Sequence, residues 1–374
     1  MPRGVFEATD DWAARLAAAT RQLGGEVVVD GPALLGERAA LSNLRRQGRT
    51  SCGGATRLLM AADGWVAVAL PRSDDIDSIP AWLELDVGAG DPWPVVEAGV
   101  RRRCAAELIA RSVLLGLAVS RLGEFSSGES VSVTHHGRGR SITRSPPIVV
   151  DLSSLWAGPL CGQLLSATGM RVIKVESTTR LDGARHGPAP FFDLLNGTKE
   201  SVVVDVGSSC GRKILAALVH SADVVIESSR PRALEQLGID RGSVMKQGTV
   251  QVWLSISGYG RRGDAAMRIA FGDDAAVAGG LVGGNLHAPV FCADAIADPA
   301  TGLRAAVAIA ECLAAGVRST IDVSLAGVAA SLAYGDLVVP REPLAPPWAR
   351  TPVAAAPRPG ADTVVVLESL GITA

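Results

Sequence analysis

Hydrophobic and polar positions fall into blocks along the chain, and the sharpest block runs from 147 to 176. Ile148, Val149 and Val150 form an apolar run that ends at Asp151. A serine-rich turn leads to Ala157, Gly158 and Pro159, and an apolar stretch of helical character reaches Gly169. A second run, 171–175, closes on Glu176. Strand, turn, helix, strand is the unit that builds a parallel sheet with a right-handed crossover. Pro159 suits the first turn of a helix, where its missing N–H costs nothing, and Gly169 suits the position just past a helix end. The turn before the helix presents free backbone N–H groups at the positive end of a helix dipole, a setting for an anion or a thioester-bearing tail.

The alternation continues downstream. Strands are predicted at 202–205, 223–227 and 250–257, the last ending at Gly258-Tyr259-Gly260, with helices at 212–220 and 231–237 between them. A small-residue helix at 271–281 and a loop at 282–287 follow. A long alanine-rich helix then starts at Asp298-Pro299 and reaches about 315. A strand at 320–324 and a last helix near 362–370 complete the pattern. The fold class implied is α/β: an open, mostly parallel, Rossmann-like sheet with helices on both faces and ligands beyond the carboxyl ends of its strands. Residues 1–125 read as a smaller α/β domain. Its elements are helices at 11–23, 34–46 and 94–123, a strand at 25–30, and a hairpin of 58–60 with 65–70 around Ala62-Asp63-Gly64. The stretch 126–146 is polar and without period, and predicts a linker that includes His135 and His136. The large domain then spans 147–340, and a proline-rich C-terminal segment spans 341–374.

Composition narrows the function classes. A hydrophobic content of 48% and a charged content of 20% describe a chain able to bury a sizeable core. A net charge of −2 gives no global reason to expect nucleic acid or an anionic membrane as partner. No apolar segment is long enough to span a bilayer, and the acidic, amphipathic start does not read as a secretory signal. Cys52, Cys104, Cys161, Cys210, Cys292 and Cys312 are scattered without a C-x-x-C pair. Reduced thiols in a cytoplasmic protein are expected, with no metal site.

The common catalytic signatures are missing: no G-x-G-x-x-G turn, no P-loop, no nucleophile elbow and no H-E-x-x-H. What remains is Asp298 at a helix start. Asp-Pro is a favoured cap and first-turn pair, worth about 0.5–2 kcal/mol to the helix. The same helix field would also hold a nucleophilic carboxylate ionised. Asp294 and Asp273 are the competing carboxylates.

The stretch VVDLSSLWAGPLCGQLLSATGMRVIKVE resembles the opening of the family III CoA-transferases, the CaiB/BaiF group that includes formyl-CoA transferase and α-methylacyl-CoA racemase. LLNGTKESVVVDV, ADVVIESSRPRALEQLGI, WLSISGYG, AIADPATGLRAAVAIAECLAAG and TIDVSLAGVAASL follow in the family's order. The resemblance implies an enzyme that moves coenzyme A between an acyl-CoA and a carboxylic acid acceptor, as a homodimer. It makes Asp298 the nucleophile, passing through an aspartyl anhydride and an aspartyl-CoA thioester. It places Ser154, Leu155, Trp156 and Ala157 at the CoA and acyl ends, and Asn196, Lys199 and Val204 near the nucleotide. Ser228 and Gln236 depart from Asn and Arg at CoA-contacting positions, and Arg180, Arg185 or Arg230 would then supply phosphate charge. Trp156 and Ser154 replace more polar residues near the acyl group, which implies a different or bulkier acyl chain. The family's small domain is expected here at the front, with Ser51, Cys52, Gly53 and Gly54 as the counterpart of its glycine-rich loop. Where the racemase carries a catalytic His, this chain has Phe271. A racemase or isomerase on the same fold, and a non-catalytic acyl-CoA-binding protein, are the alternative readings.

Overall fold

The computed structural model describes all residues except 87, 89, 126–129, 140–145, 286, 338–345 and 374. Twelve strands are seen among the described residues. They are β1 (Thr56–Ala61), β2 (Gly64–Ala69), β3 (Ala118–Arg121), β4 (Val131–Arg138), β5 (Ile148–Asp151), β6 (Arg171–Ser177), β7 (Glu200–Val204), β8 (Val224–Glu227), β9 (Val252–Ser257), β10 (Val282–Asn285), β11 (Ala288–Phe291) and β12 (Val317–Ser324).

Seven of them form the main sheet in the order β4-β12-β9-β8-β5-β6-β7. Every pairing is parallel except that of β4 with β12. The expected open, mostly parallel α/β architecture is the one observed. The chain runs outward from β5 to β7, returns to β8 and proceeds the other way. The strand order therefore reverses between β5 and β8, the place where open α/β sheets bind ligands.

The central strands are apolar on both faces because both are covered. Val149, Val224, Ile226, Val252 and Leu254 point to one layer, and Ile148, Val150, Val225 and Trp253 to the other. The first layer is built on the helices Ala157–Ser166 and Ala297–Ala314. These helices press together closely, since a Cβ added at Gly302 would lie 2.6 Å from the carbonyl oxygen of Ala157. That approach needs the small residues that fill the second helix.

Several expected elements are drawn differently. The opening helix, Arg3–Gln22, does not belong to a separate front domain. Its Val5, Trp12, Leu16 and Ala19 enter the first layer's core, and Arg15 pairs with Glu311 across it. The expected strand at 25–30 is irregular, because the N–H of Val27 is taken by the hydroxyl of Thr20 rather than by a neighbouring strand. The helix expected at 34–46 is confined to Glu37–Leu41. The one expected at 94–123 splits into Trp93–Arg101, Ala105–Leu115 and β3. Gly116 at φ 69 ends the second helix and lets the chain turn back against β2. The front sheet is thus β1-β2-β3 over a core of Trp82, Leu83, Trp93 and Leu108. Within the expected linker 126–146, residues 126–129 and 140–145 lie outside those described. Val131–Arg138, however, is an edge strand and not a linker. It is polar because it is exposed, and its pairing with β12 fixes it.

The opposite edge, β7, is met by the chain's last segment. The Asp362 carboxylate accepts from the N–H of Ser201, and the Thr363 hydroxyl accepts from that of Val203. Side chains thereby cover edge donors that would otherwise be free to pair with another strand.

Candidate active site

Asp298 lies in the first turn of the helix Ala297–Ala314 and is partly buried. Its N–H donates to the carbonyl of Ala295 at 2.9 Å. A second helix, Gly272–Ala278, starts beside it, and the N–H of Gly272 faces the Asp298 carboxylate. Gly272 is required by that approach: a Cβ there would lie 2.3 Å from the carbonyl oxygen of Ala295 and 2.5 Å from Oδ2 of Asp298. Burial pushes the Asp298 carboxyl up to about 7, against the pull of Arg38 and with a further push from Asp273 and Asp294.

Those neighbours come from three separate elements. Asp294 sits in the segment between β11 and the long helix, flanked by Ala293 and Ala295 at φ 61 and 43. Left-handed backbone at two alanines is strained, and such strain persists only where the surroundings hold it. Here the Arg38 guanidinium grips Asp294 with two bonds, Nε to Oδ2 at 2.8 Å and Nη2 to Oδ1 at 2.6 Å. Asp273 accepts from the N–H of Ala295 at 2.9 Å. Burial, with Asp294 adding to it, raises the Asp273 carboxyl to about 6, while Arg38 and the Ser51 hydroxyl oppose the rise. Arg38 also stands over the Trp156 ring, 5.0 Å from its centroid, and Trp156 meets Phe191 edge-on at 5.1 Å. The loop 51–54 lies against this cluster. Cys52 donates from Sγ to the carbonyl of Ala293 at 3.4 Å, and a Cβ on exposed Gly53 would lie 3.7 Å from Nη2 of Arg38. Gly54 has φ 83 and is partly buried. Burial holds the Cys52 thiol up at about 11, so it is not a thiolate at neutral pH.

The turn after β5 is set by buried charges. Lys199 bonds the Asp151 carboxylate and the carbonyl of Pro159, each at 2.8 Å. Asp151 in turn accepts from the N–H of Ser153 at 3.0 Å. Lys174 bonds the carbonyl of Ser153 and pairs with Asp182, whose other oxygen accepts from the N–H of Leu155. That bond holds Leu155 at φ 72. Ser154 and Leu155 are left exposed, while Trp156 and Ala157 are buried; the indole Nε1 of Trp156 has no hydrogen-bond partner among the described residues.

Several candidate side chains are held by bonds or packing within the protein. Lys199 is buried, and its ammonium donates to the Asp151 carboxylate and to the carbonyl of Pro159. Val204 is packed in the second core layer, and Asn196 is buried with Nδ2 bonded to the carbonyl of Phe192. Arg185 is tied to Glu176 and to the carbonyl of Pro357. Ser228, Gln236, Arg180 and Arg230 are exposed, and Ser228 follows directly on β8 at the reversal of strand order. Sequence reasoning missed Arg38, which lies 256 residues from Asp294 and carries no local motif. Among the described residues no group of three or more His, Cys, Asp or Glu side chains is arranged to hold a metal ion. No helix among them is long and apolar enough to cross a membrane.

The chain is 31% identical over 199 residues to an acyl-CoA transferase of Fusarium pseudograminearum, covering 47% of this chain and 44% of that protein. It is 27% identical over 191 residues to the succinyl-CoA–D-citramalate CoA-transferase of Chloroflexus aurantiacus, covering 47% and 48%. The chain thus spans about half the length of the curated relatives it matches. A solved CaiB/BaiF family protein from Brucella suis shares 30% identity over 49% of this chain and 53% of its own, with a TM-score of 0.45. Residues 147–346, more than half of the chain, match the family model of CoA-transferase family III. The chain belongs to CoA-transferase family III.

Proposed function

We propose that the protein transfers coenzyme A between an acyl-CoA and a carboxylic acid, with Asp298 as the covalent nucleophile. The observation that carries this reading is the setting of Asp298: partly withdrawn from water at a helix start, faced by the Gly272 N–H and by one guanidinium. Hydration makes a carboxylate a poor nucleophile, and withdrawal from water with a fixed field in its place offsets that.

The electron accounting is simple. A carboxylate oxygen of Asp298 attacks the thioester carbonyl carbon. A C–O bond forms as the C–S bond breaks, and the electron pair leaves on sulfur as CoA thiolate. The thiolate attacks Cγ of Asp298 in the mixed anhydride and expels the donor acid as its carboxylate. The acceptor carboxylate attacks the same carbon and releases the thiolate. The thiolate then takes the acceptor's carbonyl carbon and returns Asp298 as a free carboxylate. No net proton, oxidant or metal enters the balance. Preorganised donors aimed at the carbonyl oxygen that becomes negative are worth about 3–4 kcal/mol each. The unpartnered Trp156 Nε1 supports one such donor.

In this reading the exposed Ser154, Leu155 and Ser228 line the approach of coenzyme A at the strand-order reversal. Trp156 and Ala157 meet the acyl end, and Gly53 and Gly54 form the mouth over Asp298. The front sheet is assigned the role of the family's small domain, and the active form is a homodimer.

The test is mass spectrometry of the full chain after incubation with an acyl-CoA panel headed by succinyl-CoA, with D-citramalate as acceptor, the pair named for the C. aurantiacus relative. A covalent adduct on the peptide holding Asp298, lost in Asp298→Asn, is the expected result. Asn keeps the size of the side chain, so the fold should survive. Transfer at the wild-type rate by Asp298→Asn sinks the assignment.

A further inference from the structure

We propose that the strained turn 293–295 positions Asp298, and that a latch between Asp294 and Arg38 holds the turn in that shape. The proposal rests on the reading of Asp298 as nucleophile and names what aims it.

Each residue of the turn is pinned by a different element. The carbonyl of Ala293 accepts from Sγ of Cys52 at 3.4 Å. The buried carboxylate of Asp294 accepts from Nε and Nη2 of Arg38 at 2.8 and 2.6 Å. The N–H of Ala295 donates to Oδ1 of Asp273 at 2.9 Å, and its carbonyl accepts from the N–H of Asp298, also at 2.9 Å. Ala295 is therefore the hydrogen-bonded link between the latch and the nucleophile. Ala293 and Ala295 stand at φ 61 and 43. A left-handed alanine is disfavoured by about tenfold in an equilibrium constant, so the turn left to itself would relax. Relaxation at Ala295 swings its carbonyl away from the Asp298 N–H, and the first turn of the helix Ala297–Ala314 moves with it. Asp294 lies between the two strained residues, where one side-chain grip restrains both. A two-point guanidinium grip fixes direction as well as distance, which a single bond does not. Arg38 is itself held, with its guanidinium 5.0 Å from the Trp156 ring centroid and the neighbouring Glu37 clamped by Arg350. Arg38 and Cys52 lie ahead of the family-matching residues 147–346, so two of the pins come from outside that region.

The experiment pairs amide hydrogen exchange with turnover in the full-length protein. Mass spectrometry reads exchange in the peptide 292–300 without substrate, and transfer from succinyl-CoA to D-citramalate gives kcat and KM. In Asp294→Asn, exchange in that peptide should quicken about tenfold while the β5 peptide stays as in wild type. The kcat should fall about 100-fold, as for a displacement of about 1 Å at a reacting group, with the KM for succinyl-CoA held. Arg38→Lys keeps the charge and loses the two-point grip, so it should move both readouts the same way. Ala293→Gly added to Asp294→Asn should recover part of the kcat, because glycine takes left-handed backbone without strain. A merely structural latch would lower the melting temperature and leave the local exchange and kcat unchanged, and that result in folded Asp294→Asn overturns the proposal. Failure of the glycine rescue overturns it too. If Asp294→Asn does not fold, Arg38→Lys decides by the same two readouts. Quickened exchange at 292–300 with no adduct on Asp298 from any acyl-CoA would support the latch and sink the nucleophile instead, so the two failures are distinguishable.

Discussion

Gly272→Ala is the sharpest perturbation the structure offers. The added methyl would sit 2.3 Å from the Ala295 carbonyl oxygen and 2.5 Å from Asp298 Oδ2, where ordinary contact begins at 3.4 Å. The shortfall is about 1 Å, and one of the two obstacles is backbone held by Asp273 and by the Asp294–Arg38 pair. Either the helix Gly272–Ala278 or the 293–295 segment must move. Overpacking of this kind costs about 1–3 kcal/mol, which in a chain of this size is a fall in melting temperature of a few degrees. Rate should suffer more, because a displacement of about 1 Å at a reacting group can cost about 100-fold. The assay is a thermal melt alongside the rate of adduct formation on Asp298. Gly242→Ala, on the exposed face of the helix Arg241–Gln247, is the control. Its methyl would meet only the Asp240 carboxylate, at 3.6 and 3.9 Å, an ordinary contact, and both readouts should stay near wild type. A Gly272→Ala protein with wild-type melting and wild-type rate would refute the steric argument and the placement of Asp298 with it.

Other outcomes follow from the buried charges. Asp274 accepts from the N–H of Phe271, and burial pushes its carboxyl up to about 8. Its folded value lies above the unfolded one, so its contribution is complete below about pH 4 and lost as pH rises through 8. Wild type should therefore melt lower at pH 9 than at pH 6, and Asp274→Asn should flatten that difference; an equal slope in both proteins would count against it. Lys199→Ala leaves Asp151 buried without its partner, a loss of about 3–5 kcal/mol in a denaturant melt. If Lys199 instead served a phosphate, the melt would hold and only the KM for acyl-CoA would rise. Racemisation needs an acid–base group on each face of the α-carbon, and Phe271 cannot move a proton. No solvent deuterium should enter the α-carbon of a 2-methylacyl-CoA, and incorporation above the enzyme-free control would contradict this.

The parallel sheet was legible in the sequence because doubly covered strands are written as short, unbroken apolar runs: Ile148–Val150 and Val224–Ile226 feed alternate residues to two cores, and both runs are bounded by turn residues. β4 was not legible, since exposure removes the apolar signal and its partner β12 lies far along the chain. The amphipathic face of Arg3–Gln22 predicts a helix but not what covers it, and its cover turned out to be the large core. Asp298 stood out through the Asp-Pro pair and the family resemblance, but the expected cap is not formed: the helix begins one residue earlier, its N-cap is Ile296 and no side chain caps it. Arg38 did not stand out, because nothing local distinguishes an arginine that will meet an aspartate 256 residues later. Lys199, which the resemblance places near the nucleotide, pairs in the fold with Asp151 48 residues earlier, a partner that no local pattern announces.

The distance between Arg38 and its partners also bears on how the protein is made. The Arg38–Asp294 pair and the Arg350–Glu37 clamp join residues 256 and 313 positions apart. During synthesis, at about 5–20 residues per second, the opening helix emerges long before the Ala297–Ala314 helix that covers its Trp12 and Leu16. For that interval its apolar face has no native cover and is open to chaperones or to wrong partners. Contacts of such long sequence separation are costly to close during folding, and the pocket around Asp298 depends on several of them. A ribosome stalled before residue 294 would display a nascent chain with much of its sheet in place and no site at all.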